Sequence, residues 1–95
     1  MHIGRHLVLS TTHVRCATAE LLEHWARLRA ADQPLAVAST QCGWFVGTRQ
    51  PQCTHTVQLP EELPAILAFG RALDCSYVLL DCDGPEVSAL PCFPW

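Results

Sequence analysis

Tyr77-Val78-Leu79-Leu80-Asp81-Cys82-Asp83-Gly84-Pro85-Glu86 is the stretch on which the fold turns. A short apolar run suited to a buried strand leads straight into two carboxylates and a Gly-Pro turn. It reads as the fourth and last strand of a small domain. Before it, Leu59-Pro60-Glu61-Glu62 opens a helix. Proline fits a first helical turn, and the glutamates suit the positive end of the helix dipole. Leu63, Ile66, Leu67, Gly70 and Leu73 form the buried stripe of that helix, and Gly70 offers a close approach to the sheet.

Working further toward the N-terminus, residues 48–58 are polar, broken by Pro51, and expected to be mostly loop, a short extended piece at Thr54 to Val57 being the alternative there. A loop that long often carries binding function. Leu35 to Ser39 and Trp44 to Gly47 read as two strands of a hairpin turning at Gln41-Cys42-Gly43, where Gly43 can take a positive φ. Trp44 and Phe45 then point to opposite faces of the sheet. Leu21, Leu22, Trp25 and Leu28 recur at helical spacing, which predicts a helix over about 18–31, capped by Thr18 and with Trp25 in the core. His6 to Ser10 is the first strand.

The order β-α-β-β-α-β predicts one α+β domain over residues 1–95. Its expected form is a ferredoxin-like two-layer sandwich: a four-stranded antiparallel sheet, strand order four, one, three, two, with two helices on one face.

The chain has 95 residues, 49% of them hydrophobic, with a formal charge of −3. This is the balance of a compact folded domain rather than a disordered tail. The six basic residues are all arginines, and five of them lie in residues 1–50. Residues 51–95 set Arg71 alone against Glu61, Glu62, Asp74, Asp81, Asp83 and Glu86. No basic stripe marks a nucleic-acid binder, so direct nucleic-acid binding is not expected. No apolar run reaches the ~20 residues of a membrane span, and the N-terminus lacks the pattern of a secretory signal. The expected location is the cytoplasm, without membrane association. Six cysteines, Cys16, Cys42, Cys53, Cys75, Cys82 and Cys92, include no Cys-x-x-Cys pair, so neither structural zinc nor disulfides are expected. They read as reduced, mostly buried small apolar residues. No cofactor is called for.

Two patterns invite a catalytic reading. Val78-Leu79-Leu80-Asp81-Cys82-Asp83-Gly84 resembles the first motif of haloacid-dehalogenase-type phosphatases, in which two aspartates surround Mg²⁺. Pro85 in place of threonine, the eleven residues left after Gly84 and the lack of any lysine argue against it. His13, following Ser10-Thr11-Thr12, would suit a general base oriented by Asp81 or Asp83. In an antiparallel sheet, however, the end of strand four lies some ~17 Å from the end of strand one. A His–Asp pair would need those two strands to be parallel.

Ser10-Thr11-Thr12-His13, Gly43-Trp44-Phe45-Val46, Leu59-Pro60-Glu61-Glu62-Leu63, Asp81-Cys82-Asp83-Gly84-Pro85 and Leu90-Pro91-Cys92-Phe93-Pro94-Trp95 together resemble a family of short bacterial proteins of unknown function. Its members begin Ser-Thr-Ala-His and end Leu-Pro-x-Tyr-x-Trp. Here Thr12 replaces the alanine and Phe93 the tyrosine. The resemblance implies no catalytic residue. It implies cargo of mobile genetic elements, which carry small acidic inhibitors of host defence of the anti-CRISPR or antirestriction type. The expected function is therefore a non-enzymatic protein-interaction module. Its partner would be bound through Asp81, Asp83 and Glu86 together with the apolar tail at Phe93 and Trp95. Two alternatives stand beside it: a small enzyme or zinc protein using His13 or the cysteines, and a homodimer built on the open sheet face.

Overall fold

The computed structural model describes residues 4–49 and 59–94. Its elements follow the expected order. Strand β1 spans His6–Ser10, helix α1 Cys16–Ala26, strand β2 Val37–Thr40, strand β3 Gly43–Gly47, helix α2 Leu63–Ala72 and strand β4 Tyr77–Asp81. Short 3₁₀ turns at Thr11–His13 and Ala30–Asp32 flank α1. Residues 50–58 of the expected loop, with the candidate extended piece at Thr54–Val57, lie outside the described residues.

The α+β class holds, but the antiparallel ferredoxin-like arrangement does not. The sheet order is β1-β4-β3-β2. β1 pairs with β4 in parallel, with His6 opposite Tyr77 and Ser10 opposite Asp81. The β2–β3 and β3–β4 pairs are antiparallel. The cause is the end of the sheet at which α2 starts. Thr48 N–H donates to Ser76 O, and the Arg71 guanidinium donates to Thr48 O at 2.6 Å, so β3 ends where α2 ends and β4 begins. The start of α2 lies at the other end of the sheet, where Glu62 meets Arg15 and Thr18 at the start of α1. Since α2 starts at that end and returns to the end where β3 stops, β4 starts beside the end of β3 and runs opposite to it, reversed relative to the expectation. β4 also takes the interior place between β1 and β3. Its apolar run suits a strand paired on both sides.

Helix α1 begins at Cys16, two residues before the expected cap, and ends at Ala26, well short of residue 31. Thr18 is not the cap: it is buried, and its hydroxyl donates to Glu62 Oε2 at 2.9 Å. After Ala26 the chain turns away under the control of Gln33. The Gln33 amide donates to Trp25 O at 2.8 Å and to Val37 O at 3.0 Å, tying the end of α1 to the start of β2.

Helix α2 ends in a Schellman motif: Cys75 N–H donates to Gly70 O and Asp74 N–H to Arg71 O, both at 2.9 Å. Asp74 takes the left-handed conformation this requires, at φ 59°.

Both helices cover one face of the sheet. Leu9, Val37, Val46, Val78 and Leu80 meet Ala19, Leu22 and Trp25 of α1 and Leu63, Ile66 and Leu67 of α2 in one core. Trp25 is buried, as its spacing predicts. A Cβ built on Gly70 would come within 2.9 Å of Thr48 Cγ2 and Val78 Cγ2, so this glycine sets the helix–sheet distance. Trp44 turns toward the helices and donates its indole N–H to Glu23 Oε2 at 2.8 Å. Phe45 faces the other way, edge-on to His6 with ring centroids 5.6 Å apart. Among the described residues, no helix is long and apolar enough to cross a membrane.

Candidate functional site at the acidic end of the sheet

The parallel β1–β4 pair has a direct consequence for the site. The C-terminal ends of β1 and β4 and the β2–β3 turn all lie at one end of the sheet. His13 and Asp81, expected at opposite ends, share that end. They do not form a catalytic pair. His13 is fully buried. Its Nδ1–H donates to Pro91 O at 2.8 Å, and its Nε2 accepts from Val87 N–H at 3.0 Å. A carbonyl only accepts and an amide only donates, which fixes the tautomer and occupies both ring nitrogens. The imidazole is a clamp that holds the chain after β4 against the turn after β1.

The tail completes this clamp. Ser10 N–H donates to Pro85 O, and Phe93 N–H donates to Thr12 O, each at 2.8 Å. Leu90 joins the core. The Arg15 guanidinium stacks over the Phe93 ring, 4.7 Å from its centroid. The tail therefore folds back, but its contacts through Phe93 are with the end of the sheet and the 3₁₀ turn. Trp95 lies outside the described residues.

The acidic residues expected to bind a partner surround this clamp. Asp81 Oδ1 accepts from Asp83 N–H at 2.8 Å, and Gly84 N–H donates to Asp81 O at 2.9 Å, closing a tight turn. Asp83 and Glu86 are exposed and Asp81 is half-buried. The Thr12 hydroxyl lies 2.9 Å from Ser10 Oγ and 3.1 Å from Glu86 Oε1, which steadies the last carboxylate.

Four of the five described cysteines, Cys16, Cys42, Cys82 and Cys92, are exposed, and Cys75 alone is buried. The expectation of mostly buried thiols is thus corrected. Local spacing conceals a close pair. Gly43 faces Asp81 across the β3–β4 ladder, so Cys42 faces Cys82, and Cys82 N–H donates to Cys42 O at 2.9 Å. A Cβ on Gly43 would overlap Leu80 O, so only glycine lets the two strands meet here. A hydrogen bond with Cys42, desolvation and the neighbouring charges of Asp83, Cys42 and Asp81 push the Cys82 thiol above its ordinary range.

At the core side of this end, Glu62 is buried and its Oε2 accepts from Arg15 N–H at 2.8 Å. Burial works to raise its pKa. Hydrogen bonds from the Arg15 and Glu62 backbone N–H groups and from Thr18, with the Arg15 charge, outweigh it and hold the carboxyl below its usual value. Neither the Cys42–Cys82 pair nor this carboxylate between two helix starts is legible in the sequence. Each joins residues some forty positions or more apart.

A family model matches residues 6–95, from the start of β1 to the end of the tail. The chain belongs to DUF5983, a family of unknown function, and matches its C-terminal domain. No curated protein and no solved structure matches the chain. The DUF5983 match takes in every element that builds this end of the sheet.

Proposed function

We propose that the protein is a non-enzymatic interaction module that docks a protein partner on the acidic end of its sheet. The carrying observation is the convergence of Asp81, Asp83 and Glu86 around a backbone clamp whose histidine has both nitrogens already bonded. Anionic side chains held on a rigid turn select a basic surface and speed its approach. Phe93, half-buried beneath Arg15, and Trp95 after it supply the apolar rim of the contact. In this reading the protein acts in the cytoplasm. The resemblance to mobile-element cargo nominates the partner class, a basic component of bacterial host defence.

Affinity purification from the native host tests this directly. Asp81→Arg combined with Asp83→Arg removes partner capture, while circular dichroism and thermal melting show a folded protein. Undiminished capture by that folded variant overturns the reading. Capture by the unmodified protein should weaken steeply with salt, because the contact is electrostatic and exposed.

A further inference from the structure

Cys42, Asp81, Cys82 and Asp83 present their ligand atoms within 4.8 Å of one another, on the β2–β3 turn and the end of β4. Two thiols and two carboxylates form a donor set with a definite preference. Thiolates favour thiophilic borderline cations, and carboxylates complete a tetrahedron without demanding octahedral geometry. Around Zn²⁺, tetrahedral sulfur and oxygen ligands stand ~3.3–3.8 Å apart, so these four atoms need to close by only about 1 Å. Cys42, Cys82 and Asp83 are exposed, which leaves an entry path and room for that closure. The backbone beneath is already fixed: Cys82 N–H bonds to Cys42 O, and Asp83 N–H occupies Asp81 Oδ1, leaving Oδ2 for a cation.

Metal binding and thiol deprotonation proceed together, so the thiols become ligands as the ion arrives. Asp81 is more than a turn former here, since it pairs with Gly43 and so stands between the two residues that carry the thiols, Cys42 in the β2–β3 turn and Cys82 just after β4.

We propose that Cys42, Cys82, Asp81 and Asp83 form a tetrahedral binding site for a thiophilic divalent cation of the Zn²⁺ class, fastening the β2–β3 turn to the end of β4. The chemistry is ligand exchange: two thiols release their protons to solvent, and four protein donors replace water on the ion. The site goes beyond the docking reading and is tested without any partner.

Co²⁺ is the probe, because tetrahedral Co²⁺–thiolate sites give intense charge-transfer and ligand-field absorption. The whole chain is titrated with Co²⁺ and then Zn²⁺ in a phosphine reductant. One Co²⁺ per chain with a two-thiolate spectrum, displaced by Zn²⁺, is the expected result. Cys42→Ser and Cys82→Ser each weaken binding by about 100-fold or more. Asp81→Asn with Asp83→Asn weakens binding while the thiolate band persists. Cys42 and Cys82 are exposed, so their serine variants should retain the native circular dichroism spectrum. A Co²⁺ spectrum unchanged in the Cys42→Ser, Cys82→Ser double variant places the metal elsewhere and overturns the proposal. So does the absence of any thiolate band in the unmodified protein.

Discussion

Glu62 joins the starts of the two helices through one carboxylate oxygen, accepting from Arg15 N–H and from the Thr18 hydroxyl. Its other oxygen, Oε1, is buried and has no hydrogen-bond partner among the described residues. Such a group is costly to bury and costlier to protonate, because its bonds are charge-assisted. Its lowered pKa means that the folded state binds its proton less tightly than the unfolded chain does. Stability from Glu62 is therefore fully present above its unfolded value of 4.5 and is lost as pH falls through the lower folded value. Glu62→Gln should cost about 1–2 kcal/mol at neutral pH and flatten the acid limb of the stability curve below that point. Urea unfolding as a function of pH measures both effects, and an unchanged acid limb would show that another carboxylate governs it. From the sequence Glu62 reads as a helix-dipole residue, which is the role any glutamate in a first turn would have. Its tie to α1 depends on a residue 47 positions away. His13 teaches the same lesson: a histidine beside hydroxyls suggests a base, and only the returning tail shows both nitrogens to be occupied.

At the level of elements, two glycines set how closely the layers and strands approach. Gly70→Ala improves helix propensity by ~1 kcal/mol but drives a methyl into Thr48 and Val78, whose β-branched side chains are stiff. The net cost should be about 1–3 kcal/mol. Gly43→Ala meets the Leu80 carbonyl, backbone that cannot rotate away, and should cost about 3 kcal/mol or more. Thermal denaturation of the two variants checks the order: a milder effect at Gly43 than at Gly70 would contradict the close β3–β4 approach. The apolar periodicity of α1 and α2 and the hairpin signal at residues 41–43 made the elements legible, because those patterns are local. The boundaries were less so. α1 stops at Ala26 because Gln33 takes over the last carbonyls, a tertiary bond with no periodic signal. Gly43 suggested a positive φ, yet no described glycine has one, and its need is close strand contact.

Across the whole molecule, the tail beyond β4 belongs to the fold. Removing residues 90–95 takes away buried Leu90, the Pro91 carbonyl that accepts from His13, and the Phe93 bond to Thr12. The expected loss is about 3–5 kcal/mol, measured by urea denaturation, with the buried imidazole left unsatisfied. A loss under about 1 kcal/mol would mean that the tail is dispensable to the fold. By itself the sequence determined the six elements, their order, the core helix at Trp25 and the acidic character of the last turn. Hydrophobic period, turn chemistry and charge are written residue by residue. Only the tertiary structure decided the direction and place of β4, the meeting of Cys42 with Cys82 and the burial of His13. Strand order and direction depend on the end of the sheet at which each helix starts. That is settled by which apolar surfaces fit together, and no local pattern records it.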